Sequence, residues 1–380
     1  MPLRVAVVTE SFLPSINGVT NSVIRILESL KADGHEAIVL APTSNADEYL
    51  GFKVIQISRF YIKQFAVALP HLRLESILRD FNPDVVHVAA PFAFGRQAIS
   101  VANRMGVPAI AIYQTDIAGY AQRYGVPGLR PLIDRLIGAI HRRATVNLAP
   151  TAEGADYLRK IGAQGVAIWG RGVDLETYNP KKRDLVGESG YRKELAANDH
   201  VVVGFVGRLA AEKQVERFAE LFGIPNVSFL IVGDGPERAN LERLFRYQKV
   251  KFTGKLVGPA LANAYASMDI FVHCGTEETF GQTIQEAQAS GLPVVAPARG
   301  GPRFIIQSGI NGFLVNPDLD NAYRSVVQEL IDNPELRKQI GLKARASVSD
   351  KSWSANNAQL FEHYRNAIQI KDASRENRVA

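Results

Sequence analysis

Two cations and two acids in the second half of the chain have a spacing that could do chemistry. Arg208 and Lys213 lie five positions apart, just after an apolar run at 201–206. At a loop-to-helix junction both can point at one polyanion, Arg as a planar fork and Lys as a point charge, and on a diphosphate they can take the place of a metal ion. A solvated basic helix start is the plainer alternative. Glu278 and Glu286 follow a second apolar run at 270–273, and a helix is expected over about 282–290 with Gly291 as its stop. Glu278 then sits in a loop and Glu286 on the helix. Carboxylates accept hydrogen bonds from hydroxyls, so one acid can hold a sugar and the other a ribose diol. The amides of Phe280, Gly281 and Gln282 at the helix start suit phosphates, although an acidic stretch there is also a common capping device. In the first half, Asn17-Gly18 precedes a helix expected from about Thr20. Gly18 would let backbone amides approach a phosphate, and a simple turn fits equally well.

Such residues need a frame. Apolar runs at 5–8, 37–40, 54–57, 85–88 and 109–113 alternate with amphipathic stretches such as 21–31 and 72–80. A second series starts at 201–206 and continues through 229–232, 251–253, 270–273 and 293–296. Strand–helix alternation of this kind predicts α/β domains with parallel sheets and helical crossovers. Ligands bind such sheets beyond the carboxyl ends of the strands, where every candidate above falls. The polar, Pro- and Lys-containing stretch at 171–183 reads as a linker, which places a boundary near residue 180 and domains at 1–180 and 181–354. The last amphipathic segment, 355–370, reads as a helix that can pack back on the first domain, and 371–380 as a disordered tail.

Composition bounds the function. A chain of 380 residues exceeds one ordinary core, and 46% hydrophobic with 22% charged residues is a globular balance. Cys274 is the single cysteine, so intramolecular disulfides and Cys-based zinc sites are excluded and a reducing cytoplasm fits. No stretch has the roughly 18 uninterrupted apolar residues of a membrane span, which leaves peripheral contact. The net charge of +6 is spread over both halves: residues 1–180 carry 18 Lys/Arg and 15 Asp/Glu. No basic tail or aromatic–basic stripe marks a nucleic-acid partner. Two stretches mix cations with apolar bulk as candidate membrane-docking surfaces, 59–65 and 129–143, and a core-packed helix with a solvated basic face explains the second equally well.

Other motifs point to less. Gly233-Asp234-Gly235-Pro236-Glu237 starts like a dinucleotide fingerprint but lacks its third glycine and carries an acid, against an NAD enzyme. Asp318-Leu319-Asp320 reads as a cap or surface loop, and His87 and His273, without a second ligand at metal spacing, as structural groups. No metal is expected.

Taken together, Glu278 and Glu286 at E-x7-E spacing, Phe280-Gly281 between them, and Gly207-Arg208 with Lys213 resemble the signature of family-4 retaining glycosyltransferases. Asn17-Gly18-Val19, Asp84-Val85-Val86-His87, Gly172-Val173-Asp174, Val232-Gly233-Asp234-Gly235 and Gly254 stand at that family's stations, so the resemblance covers nearly the whole chain. It implies a GT-B fold, two Rossmann-like domains facing a cleft, with acceptor binding in the first and nucleotide-sugar binding in the second. Glu10-Ser11-Phe12-Leu13-Pro14, Tyr113-Gln114-Thr115-Asp116 and Ala266-Ser267-Met268-Asp269 look most like the actinobacterial GDP-mannose-dependent α-mannosyltransferases of glycolipid assembly. That likeness implies mannose moving from GDP-mannose to a lipid-linked acceptor such as glucuronosyl diacylglycerol or a phosphatidylinositol mannoside, at the cytoplasmic membrane face and without cofactor. Residue by residue it puts Gly18 and Gly233 near the donor phosphates, Arg208 and Lys213 on the diphosphate, Glu278 on the sugar and Glu286 on the ribose.

Many relatives carry a His where this chain has Gln114. Gln cannot exchange protons, so acid–base catalysis by that side chain is excluded, although it can still position the sugar. Asp116 is the nearest titratable group in that loop, a candidate for acceptor or sugar contact or for a helix cap. A UDP-sugar donor, or a non-catalytic nucleotide-sugar binder, remains compatible with the same residues.

Overall fold

The computed structural model describes residues 2–15, 17–42, 47–62, 65–89, 91–114, 130–183, 190–196 and 199–379, without the side chains of 59–67, 375 and 377–379. The chain forms two compact units, one of residues 1–171 with 353–380 and the other of residues 172–352. The first break falls at Arg171/Gly172, upstream of the 180 expected from the Pro/Lys stretch, because Tyr178 is buried in the second unit's core and its carbonyl, like that of Leu175, accepts from Arg345.

The first unit is built on β1 (Arg4–Thr9), α1 (Gly18–Ala32), β2 (Glu36–Ala41), β3 (Glu48–Tyr49), β4 (Phe52–Gln56), β5 (Arg59–Ile62), β6 (Phe65–Ala68), α2 (Leu74–Phe81), β7 (Val85–Ala89), α3 (Ala93–Met105), β8 (Ala109–Ile112), α4 (Arg130–His141), β9 (Val146–Ala149), α5 (Ala152–Lys160) and β10 (Val166–Ile168). Its main sheet runs β10-β9-β8-β7-β1-β2-β4-β3 and is parallel except for the short β3–β4 pairing; β5 and β6 form a separate hairpin. The central strands are apolar on both faces because both are covered. Val5 and Val7 pack with α1 on one side, whereas Ala6 and Val8 join Phe94 and Ala98 of α3 on the other.

A long C-terminal helix, Trp353–Val379, closes the first face. Leu360, Phe361, Tyr364 and Ala367 enter the core with Val5 and Val7, so the expectation that 355–370 packs on the first half agrees with the structure. The Tyr364 hydroxyl meets His87 Nδ1 at 2.9 Å inside that core. The expected disordered tail is instead helical through Val379, since the backbone ladder continues past the last apolar anchor.

The second unit contains α6 (Gly190–Leu195), β11 (Val201–Val206), β12 (Val227–Val232), α7 (Arg238–Leu244), β13 (Val250–Gly254), α8 (Gly258–Ala266), β14 (Ile270–Val272), α9 (Gln282–Ala289), β15 (Val294–Pro297), α10 (Pro302–Ile305), β16 (Phe313–Val315), α11 (Ala322–Asp332) and α12 (Pro334–Ala346). All six strands are parallel, in the order β13-β12-β11-β14-β15-β16. The chain starts in the middle at β11, winds out to β13, and returns to β14 on the other side. That reversal creates a switch point between the carboxyl ends of β11 and β14, where the flanking loops diverge and leave room for a ligand. In the first unit the corresponding reversal lies between β1 and β7.

Candidate functional site

In the second unit, the switch point gathers the residues singled out for chemistry. After β11 the chain turns through Gly207 and Arg208 into a short 3₁₀ segment, Ala211–Lys213. Arg208 is exposed and Lys213 half-buried. After β14 the chain passes through His273 and Cys274 to Glu278, and Lys213 Nζ lies 2.6 Å from Glu278 Oε2. The two loops pack closely: a Cβ on Gly275 would lie 3.0 Å from the Glu212 carbonyl oxygen and 3.4 Å from Lys213 Cα. Cation and acid, 65 residues apart in sequence, are therefore held side by side by backbone packing.

His273 forms part of the wall. It is buried, with Nε2 3.9 Å from Glu278 Oε2, and burial lowers its pKa to about 4 despite that carboxylate. It is neutral at pH 7, so the Lys213–Glu278 pair has no third charge from this side chain.

Phe280 is buried, and Gly281 adopts φ +104°, the left-handed region that glycine tolerates, before α9 begins. The first free amides of α9 start at Gln282, whose side-chain Nε2 donates to the Gly172 carbonyl at 3.0 Å. Gln282 is thereby engaged with the start of the second unit as well as standing at a helix N-terminus. Glu286 lies one turn into α9, 8% exposed, and the Tyr265 hydroxyl donates to its Oε2 at 2.9 Å.

Gly233 follows β12, beside the same loops. Its φ is +138°, and a Cβ there would lie 1.8 Å from the Gly207 carbonyl oxygen. Its nitrogen donates to the Gly254 carbonyl at 2.9 Å. The glycine is thus required for the backbone crossing that supports the Arg208 loop.

In the first unit, α1 begins at Gly18, two residues earlier than expected, because Asn17 caps it: Asn17 Oδ1 accepts from the Val19 and Thr20 amides, each at 3.0 Å. Gln114 is buried after β8, and its Oε1 accepts from Arg171 Nη2 at 2.8 Å. Arg171 Nη1 also donates to the Gly18 carbonyl at 3.2 Å. A buried guanidinium thus joins the two candidates of this unit. The sequence reading missed it, because an Arg inside a polar stretch looks like linker and its burial depends on partners 57 and 153 residues away. Asp116 lies outside the described residues.

The Asp318 pair is a surface loop as expected: Asp318 pairs with Arg299, and its amide donates to Asn316 Oδ1. His87 is a core residue whose pKa burial lowers to about 3. Among the described residues no group of three or more His, Cys, Asp or Glu is arranged to hold a metal ion, and no helix is long and apolar enough to cross a membrane.

The Glycosyltransferase Family 4 model matches residues 16–177 and the Glycosyl transferases group 1 model residues 189–347. A GDP-mannose-dependent alpha-mannosyltransferase of Corynebacterium glutamicum is 41% identical over 378 residues, covering 97% of this chain and 90% of the relative. One from Mycobacterium tuberculosis is 41% identical over 372 residues, covering 95% and 96%. Among solved structures, sucrose-phosphate synthase from Thermosynechococcus elongatus superposes with a TM-score of 0.78 at 19% identity, over 97% of this chain and 100% of that one, which shows the shared GT-B fold. The chain is a glycosyltransferase of family 4, with the GT-B fold, and belongs with the actinobacterial GDP-mannose-dependent alpha-mannosyltransferases in that family.

Proposed function

We propose that the protein transfers mannose from GDP-mannose to a membrane glycolipid of the glucuronosyl diacylglycerol or phosphatidylinositol mannoside type, with retention of the α configuration and without a metal. The observation that carries this reading is the Lys213–Glu278 pair at the β11/β14 switch point, with Arg208 on the same loop as Lys213. Lys213 and Arg208 neutralise the diphosphate as it leaves C1, the role a metal fills elsewhere, and the N-terminus of α9 adds its partial positive charge. Glu278 accepts from hydroxyls of the transferred sugar, and Glu286 from the ribose. The acceptor hydroxyl attacks C1 from the face the diphosphate leaves: the C1–O bond to the diphosphate breaks as the bond to the acceptor oxygen forms, and the hydroxyl proton passes to the departing phosphate oxygen. Gln114, held by Arg171, orients rather than exchanges protons. The mannosyl donor is supported by the names of the relatives at 41% identity.

The lipid-linked acceptor is supported by α4, on which Leu132 and Leu136 are exposed beside exposed Arg130 and Arg135, a face suited to an anionic bilayer surface at the cytoplasmic side. The other docking candidate, 59–65, lies outside the described side chains. The test is transfer of labelled mannose from GDP-mannose, in EDTA, to glycolipid in anionic vesicles and to the free headgroup sugar. Transfer to the vesicle-borne glycolipid supports the reading. Transfer from UDP-glucose instead, or a strict Mg²⁺ requirement, overturns donor or metal independence respectively. Nucleotide-sugar affinity without any product would identify a binding protein.

A further inference from the structure

Tyr265, on α8, carries a phenol buried to 0% exposure, and its neighbours leave the ring little freedom. Tyr178 packs edge-on with ring centroids 5.5 Å apart, and Phe271 of β14 lies tilted at 5.7 Å. The hydroxyl emerges from this aromatic cage beside α9, 2.9 Å from Glu286 Oε2 and 3.2 Å from the Thr283 carbonyl oxygen. A hydroxyl has one proton, and the shorter contact to a charged acceptor is the stronger one. Burial, with Glu286 beside it, pushes the phenol well above its ordinary range, so it remains a donor at any working pH. A Glu side chain on a helix otherwise keeps several rotamers and a freely turning carboxylate. With Oε2 held by a fixed phenol, the direction in which that oxygen points is set.

We propose that Tyr265 is the positioning residue of the ribose subsite: it aims the Glu286 carboxylate at the ribose diol of a nucleoside diphosphate and thereby sets nucleotide affinity without touching the ligand. The proposal rests on the reading that Glu286 meets the ribose. Pre-aiming a carboxylate lets it accept from the diol without first losing its own rotational freedom, and the gain appears in binding rather than in the chemical step.

Tyr265→Phe removes only the hydroxyl. Affinities for GDP and 2′,3′-dideoxy-GDP are measured by calorimetry for wild type and variant, with UDP and its dideoxy counterpart run alongside. Expected is a GDP affinity about tenfold weaker in Tyr265→Phe, with KM for the donor rising and kcat little changed, and a much smaller loss for the dideoxy compound. Equal loss for both compounds, or none for either, overturns the proposal while leaving the Glu286 assignment intact. A wild type that binds the normal and dideoxy nucleotides equally well overturns the Glu286 assignment and the proposal with it. If Tyr265→Phe alone folds poorly, the double variant Tyr265→Phe/Glu286→Gln removes the buried charge together with the phenol hydroxyl. It should bind GDP as Glu286→Gln alone does, and a further multiplied loss contradicts action through Glu286.

Discussion

Lys213 Nζ and Glu278 Oε2 lie 2.6 Å apart at the switch point of the second sheet, so the cation assigned to the leaving diphosphate and the acid assigned to the sugar hold each other in place. A donor bound there shares both. Lys213→Ala and Glu278→Gln are each expected to lower kcat/KM by about 10²- to 10³-fold. Because the two groups touch, the double variant should lose markedly less than the product of the single losses. Steady-state kinetics of the four proteins checks this, and fully multiplicative losses would show that the pair does not act as a unit.

Gly233→Ala tests the support beneath the site. The added methyl group would fall 1.8 Å from the Gly207 carbonyl oxygen at a backbone φ of +138°. No side chain can move to relieve a backbone clash, so a loss of about 3 kcal/mol or more is expected in the second unit. Thermal unfolding of the variant measures it; an unchanged midpoint would contradict the packing described.

Three buried histidines predict an acid-sensitive fold. Burial lowers His87 to about 3, and His141 and His273 to about 4, against an ordinary 6.5. The folded forms are neutral where the unfolded chain already binds protons. Their contribution is complete above pH 6.5 and is lost as the pH falls toward 4, at up to about 1.4 kcal/mol per pH unit for each. Melting midpoints should decline steadily from pH 6.5 to 4.5. His87→Leu should flatten that slope by about a third even though the loss of the Tyr364 contact lowers the midpoint itself. A flat wild-type profile would contradict the burial of these rings.

The exposed face of α4 predicts vesicle binding. Leu132→Ser/Leu136→Ser and Arg135→Gln should each weaken cosedimentation with anionic vesicles by about tenfold or less, the first at all salt concentrations and the second mainly at low salt. Thiol-free controls are unnecessary, since Cys274 is buried with its thiol pushed well up by burial. Equal binding by wild type and both variants would remove α4 as the docking face.

Much of this architecture was legible because short runs rich in Val and Ile favour buried strands, and their alternation with amphipathic stretches favours parallel winding. The loops after β11 and β14 could be picked out as candidate site loops for the same reason, and Lys213 and Glu278 meet between them. What the chain order hides is long-range pairing. Arg171 looked like linker because its partners Gly18 and Gln114 are brought to it only by the first sheet. Tyr265 has no motif to single it out, because its acceptor, Glu286, lies on a different helix. The helical tail to Val379 was hidden for the opposite reason: backbone hydrogen bonds extend a helix beyond the apolar pattern that anchors it.

The central claim is mannosyl transfer from GDP-mannose by the Arg208–Lys213–Glu278 set without a metal. Its most direct test is mass-spectrometric detection of mannosylated glycolipid, after incubating the purified protein with GDP-mannose and vesicle-borne acceptor in EDTA, beside a parallel reaction with UDP-glucose. The account predicts a hexose-bearing product from GDP-mannose alone, absent with Lys213→Ala. Product from UDP-glucose alone, or product from GDP-mannose that survives Lys213→Ala undiminished, would contradict it.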